Sequence, residues 1–81
     1  MNEQLYIGMA RAQETAGDVQ AALTILTSAI KQYPESADLY LERGRIYNSL
    51  GNKEAALFDL RKAAEIKPEI INSLNFKSKN Q

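Results

Sequence analysis

The sequence predicts an all-α protein, a stack of helix-turn-helix units. Three observations predict it: an internal repeat, paired helix stop and start signals inside each unit, and small residues at helical spacing. Moved along by 34 positions, the chain falls on itself. Leu5 meets Leu39, Tyr6 meets Tyr40, Arg11 meets Arg45, Gly17 meets Gly51 and Ala21-Ala22-Leu23 meets Ala55-Ala56-Leu57. Leu26 then meets Leu60, Ala29 meets Ala63 and Pro34-Glu35 meets Pro68-Glu69. Roughly a third of the positions agree without a gap, and a fixed period of this size marks a stacked repeat architecture. No alternation of period two runs long enough to make a strand.

Each element follows from local signals. The first helix, α1, is expected over about residues 3–16, closed by Gly17, which can take the left-handed conformation at no Cβ cost. The second, α2, is expected over about 18–33. Asp18 stands ready to cap its first orphan N–H groups, and Pro34 stops it, because the residue before a proline is pushed out of the α region. The same punctuation returns one unit later: α3 over about 37–50 is closed by Gly51, and α4 over about 52–66 starts at Asn52 and stops before Pro68. A short terminal helix is expected over about 69–76. Its Ile70, Ile71, Leu74 and Phe76 would cover α4, with Asn72, Ser73 and the polar Lys77–Gln81 tail facing water.

Packing logic supports the pairing. Ala22, Ala29, Ala56 and Ala63 put small side chains on one face of α2 and α4, where a neighbouring helix can approach. Tyr6, Tyr40 and Tyr47 of α1 and α3 fill the space so left, with Ala10 and Gly44 where backbone nears backbone.

These residues resemble the tetratricopeptide repeat family. In the second unit the family's aromatic, glycine, tyrosine, turn glycine, alanine, large apolar residue, alanine and proline are met by Tyr40, Gly44, Tyr47, Gly51, Ala56, Leu60, Ala63 and Pro68. The first unit follows with Tyr6, Ala10, Gly17, Ala22, Leu26, Ala29 and Pro34. It departs at Gln13, where a tyrosine is usual, and Arg43 of the second unit stands where leucine is common. The resemblance covers residues 3–70 and implies a single domain over 1–81. Its parts are one repeat over about 3–36, a second over about 37–70, and a capping helix with its tail over about 69–81.

Composition narrows the function. Ten basic and ten acidic residues cancel, so no net field draws nucleic acid or an anionic membrane. With no histidine and no cysteine, the usual nucleophile–base pairs, thiolate zinc sites and disulfides cannot be built. Gly8, Gly17, Gly44 and Gly51 are isolated and form no phosphate-cradling loop. Glu14, Asp18, Glu35, Asp38, Glu42, Glu54, Asp59, Glu65 and Glu69 read as solvated surface charges. The expectation is therefore no enzyme, no cofactor, no metal and no nucleic acid. No apolar run approaches the length of a membrane span, so no membrane insertion is expected either, and the cytoplasm is the default compartment.

Binding remains. In the family, the first helix of each repeat lines the concave face of a superhelix, and that face holds a peptide or helix of a partner protein. Carried onto this chain, the groove positions are Gln4, Ile7, Gly8, Arg11 and Glu14 on α1, and Asp38, Leu41, Glu42, Arg45 and Asn48 on α3. Helical spacing independently puts Ile7, Arg11 and Glu14 on one stripe and Leu41, Arg45 and Asn48 on another. Arg11 and Arg45 would grip a carboxylate, or pair with helical neighbours, Arg11 with Glu14 and Arg45 with Glu42. Ile7 and Leu41 would form a small apolar stripe outside the core. The clamp by which one subfamily holds the C-terminal carboxylate of chaperones is not carried: its positions are occupied by Ile7, Arg11 and Glu42. The alternative to a binding groove is an assembly segment. On that reading the side of α1 bearing Leu5, Met9 and Ala12, which no earlier helix covers, pairs two copies as a homodimer.

Overall fold

Two left-handed glycines fold the chain into hairpins. Gly17 has φ 91° and Gly51 has φ 82°, and no other described residue has positive φ. A computed structural model describes residues 2–70 of the chain. It contains α1 Glu3–Thr15, α2 Val19–Gln32, α3 Ala37–Ser49 and α4 Lys53–Ile66, each end within one residue of the expected span. The expected terminal helix lies outside the described residues beyond Ile70, which is itself buried and joins the core.

The caps explain the boundaries. Asp18 accepts a hydrogen bond from Ala21 N and Asn52 from Ala55 N, at 3.0 and 3.2 Å. Ser36 does the same for α3 through Leu39 N, a cap that the sequence reading did not single out. Each such oxygen satisfies a donor with no partner inside the helix.

Order along the stack is set by α2, which packs against α1 within its own hairpin and against α3 of the next. Both of its apolar faces are therefore buried: Ala22, Leu26 and Ala29 are fully inaccessible. Leu39 and Ile46 of α3 are buried in the same core. Tyr40 is buried, and Tyr6 and Tyr47 are packed at its edge. Burying one leucine-sized side chain contributes about 2 kcal/mol, so this row of small and large residues holds two short hairpins together.

Gly44 marks the closest approach. A Cβ there would lie 3.2 Å from Asp59 Cβ and 3.3 Å from the Ala56 carbonyl oxygen, so α3 and α4 touch because no side chain intervenes. Gly8, by contrast, has nothing within 4 Å.

Candidate partner-binding face

Helices α1 and α3 lie side by side, and three hydrogen-bonded bridges join them. Arg11 donates from Nε and Nη2 to the two carboxylate oxygens of Glu42 at 2.9 and 3.0 Å. Arg45 donates to both oxygens of Glu14 at 2.8 and 3.2 Å, and Nη2 also reaches Glu42 at 2.9 Å. Nearer the N-terminal ends, Gln4 Nε2 donates to Asp38 Oδ2 at a long 3.5 Å. The first two bridges tie one repeat to the next with bidentate charge-assisted bonds, which fix orientation as well as distance.

Electrostatics follow from that arrangement. The bond from Arg11, then those from Arg45, hold the Glu42 carboxyl below the usual carboxylate range against the opposing effect of its burial. Arg45 does the same for Glu14. Both guanidiniums are correspondingly raised, that of Arg11 chiefly by Glu42 and that of Arg45 chiefly by Glu14.

Placed against the expectation, the ten residues divide. Gln4, Gly8, Arg11, Asp38, Arg45 and Asn48 are exposed on this face, and Glu14 is partly so. Ile7 is not: it is 6% exposed and belongs to the core. Leu41 is partly buried and packs on the same core, so the expected apolar stripe outside the core does not exist. The reason is that α1 packs on α3 as well as on α2, which widens its buried sector beyond what one hairpin needs. Glu42 is also buried rather than solvated. Arg45 does pair with Glu42 at i−3, as spacing allowed, but Arg11 turns to Glu42 across the repeat junction instead of to Glu14 on its own helix.

A second correction concerns Asp59, expected on the surface and found fully buried. Arg43 donates to its two oxygens at 2.9 and 2.8 Å and to Thr27 Oγ1 at 3.3 Å. Its guanidinium carbon lies 5.9 Å from each ring centroid of Tyr40 and Tyr47. Arg43 thus joins α2, α3 and α4 at one point. The sequence did contain a signal: Asp59 falls in line with Ala56 and Ala63 on the buried stripe of α4, and a carboxylate there requires a cation opposite.

The face ends in a small recess of about 170 Å³ at the start of α3, lined by Glu3, Glu35, Asp38, Ile66 and Lys67 among others. A larger open groove of about 700 Å³ runs between α2 and the α3–α4 turn, past Thr24, Ser28, Tyr47 and Leu50. It includes none of the ten expected residues. No helix among the described residues is long and apolar enough to cross a membrane.

A family model described as Tetratricopeptide repeat matches residues 7–69. Among curated proteins, the chain is similar to Protein SGT1 homolog of Bos taurus, 39% identical over 57 residues, which covers 70% of this chain and 17% of that protein. Protein SGT1 homolog of Homo sapiens is 41% identical over 51 residues, 63% of this chain and 14% of the relative. Protein SGT1 homolog of Oryza sativa subsp. japonica is 34% identical over 61 residues, 75% and 17% respectively. The matched region spans less than a fifth of each of these relatives. No solved structure matches the chain.

Proposed function

The chain belongs to the tetratricopeptide repeat family, a non-catalytic protein-interaction fold, and on that premise we propose that the face shared by α1 and α3 is a concave groove that takes an extended peptide of a protein partner. The observation that carries the reading is the row of exposed polar side chains, Gln4, Arg11, Asp38, Arg45 and Asn48, with the exposed backbone of Gly8 among them, held in register by bridges between the two helices.

Charge on that face selects the peptide. The face carries two arginines and three carboxylates, Glu14, Asp38 and Glu42, and both arginines are already held by Glu14 and Glu42 of the chain itself. An acidic ligand would have to displace Glu42. Asp38 has only the long contact from Gln4, and Glu3 and Glu35 line the recess beside it. The groove therefore suits a polar peptide carrying a lysine or arginine toward Asp38, in place of the carboxylate suggested by the arginine pair alone.

The test is a peptide-display selection on the 81-residue chain, followed by affinity measurement on the selected peptides. Asp38→Arg with Asn48→Arg changes exposed groove residues, gives up the long Gln4–Asp38 contact and spares both arginine–glutamate bridges; it should weaken selected peptides by about tenfold or more. Reversing Arg11 and Arg45 would be a poor test, because it strips Glu42 of its partners. Selected peptides that bind the double variant as tightly as the parent would remove this face from consideration.

A further inference from the structure

The apolar stripe on the other side of α1 consists of Leu5, Met9, Ala12 and Ala16, all exposed, with Leu5 at 58% and Met9 at 44%. One repeat later the same positions are Leu39, Arg43, Ile46 and Leu50, and there Leu39 and Ile46 are completely buried in the core, where α3 packs on α2. In the second repeat, then, the Leu39–Ile46 part of the stripe is a helix-docking surface, while Leu50 is half exposed, and on α1 no described residue covers the corresponding positions.

Its pattern identifies a cover. The two large residues lie toward the N-terminal end and the two alanines toward the C-terminal end, and the spacing is symmetric about the midpoint between Ala10 and Arg11. Two copies of α1 laid antiparallel across a two-fold axis at that midpoint place Leu5 against Ala16 of the other copy and Met9 against Ala12. Large meets small at all four contacts, which lets two helices come within the ordinary packing distance of about 8–10 Å. The flanks, Gly8 and Thr15 on one side and Asn2 and Gln13 on the other, are uncharged. At about 100° per residue, the charged side chains Glu3, Arg11 and Glu14 all lie roughly 130° or more round the helix from the centre of the stripe. No charged side chain of α1 lies within the stripe or its flanks.

We infer that this face is an isologous interface with a second copy of the chain, formed by antiparallel pairing of α1 with α1. A 13-residue helix is about 20 Å long, so the contact is well under the roughly 800 Å² per partner of a standard stable interface, and association is weak and concentration-dependent. The groove side chains Arg11 and Glu14 point away from the stripe, only Gly8 of the groove borders it, and the groove stays open in the dimer.

Sedimentation of the 81-residue chain from micromolar to millimolar concentration tests this. The expected result is a monomer that passes to a dimer and no further. Leu5→Glu with Met9→Glu, with helicity checked by circular dichroism, should weaken dimerisation by about tenfold or more. Leu57→Glu, at another exposed leucine on α4, should leave it unchanged. Register is read by cysteines, since the chain has none of its own: Leu5→Cys and Ala16→Cys chains should form a disulfide when mixed and not separately. A monomer at every concentration overturns the inference. So does growth beyond dimer, or a dimer lost on Leu57→Glu, each of which means that α4 of one copy covers α1 of the next. Peptide affinity of the Leu5/Met9 variant should match the parent, so failure of the groove and failure of this interface are read separately.

Discussion

Arg43 and Asp59 show how much one pair of residues can carry. The positions one repeat earlier are Met9, which is 44% exposed, and Ile25, so the first repeat carries apolar side chains where the second carries a buried ion pair. Removing one partner of a buried pair leaves an uncompensated charge, whereas replacing both by apolar groups of similar volume is close to neutral. Asp59→Ala should therefore cost about 3 kcal/mol in urea denaturation. Arg43→Met with Asp59→Ile, which copies the first repeat, should stay within about 1 kcal/mol of the parent. The two glycines of the first helices make a similar contrast. Gly8→Ala has free space and should stabilise by roughly 0.5–1 kcal/mol, the helix-propensity gain. At Gly44 a Cβ would press on Asp59 Cβ and the Ala56 carbonyl, atoms that move only if α4 moves, so Gly44→Ala should destabilise by about 1 kcal/mol despite the same gain. Thermal melts of the two variants should shift in opposite directions.

At the scale of elements, the joint between α1 and α3 is electrostatic at its surface and apolar beneath. Glu42 and Glu14 have lowered pKa values in the folded chain, so the unfolded chain binds protons more readily than the folded one in that range. Stability from the joint is complete above the ordinary carboxylate pKa and is lost as pH falls through the lowered folded values. Urea midpoints measured from neutral pH down into acid should drop accordingly. Arg11→Ala with Arg45→Ala should lower the neutral-pH midpoint and flatten the acid slope, because it removes the groups that hold both carboxylates down. A slope unchanged by those substitutions would mean that other carboxylates dominate the acid response.

Across the whole molecule, each helix is stable mainly through its neighbours, so the ends of the stack matter as much as its interior. Leu39 and Ile46 are buried in α3, while Leu5 and Ala12 in the same register on α1 are exposed, with no described residue against them. Self-association and peptide capture use different sides of α1 that adjoin only at Gly8. A ligand at Asp38 and a second copy at Met9 should therefore bind independently, with dimerisation measured in saturating peptide equal to that without it.

The sequence by itself determined the helices, their turns and their order. Gly17, Gly51, Asp18, Asn52, Pro34 and Pro68 act through their own backbone and their immediate neighbours, and such local effects are legible one residue at a time. The small-residue face of α2 and α4 was legible for the same reason, since helical period alone places those side chains together. Only the tertiary structure decided which charges were paired and which apolar residues were free. Ile7 is buried because α1 meets α3 as well as α2, and Arg11 turns to Glu42 because α3 brings a carboxylate from another repeat within reach. Asp59 is buried because Arg43, 16 positions earlier, crosses from the facing helix. Each of these depends on where a neighbouring helix lies, and the periodicity of a single helix shows which face is apolar but not how many neighbours it meets.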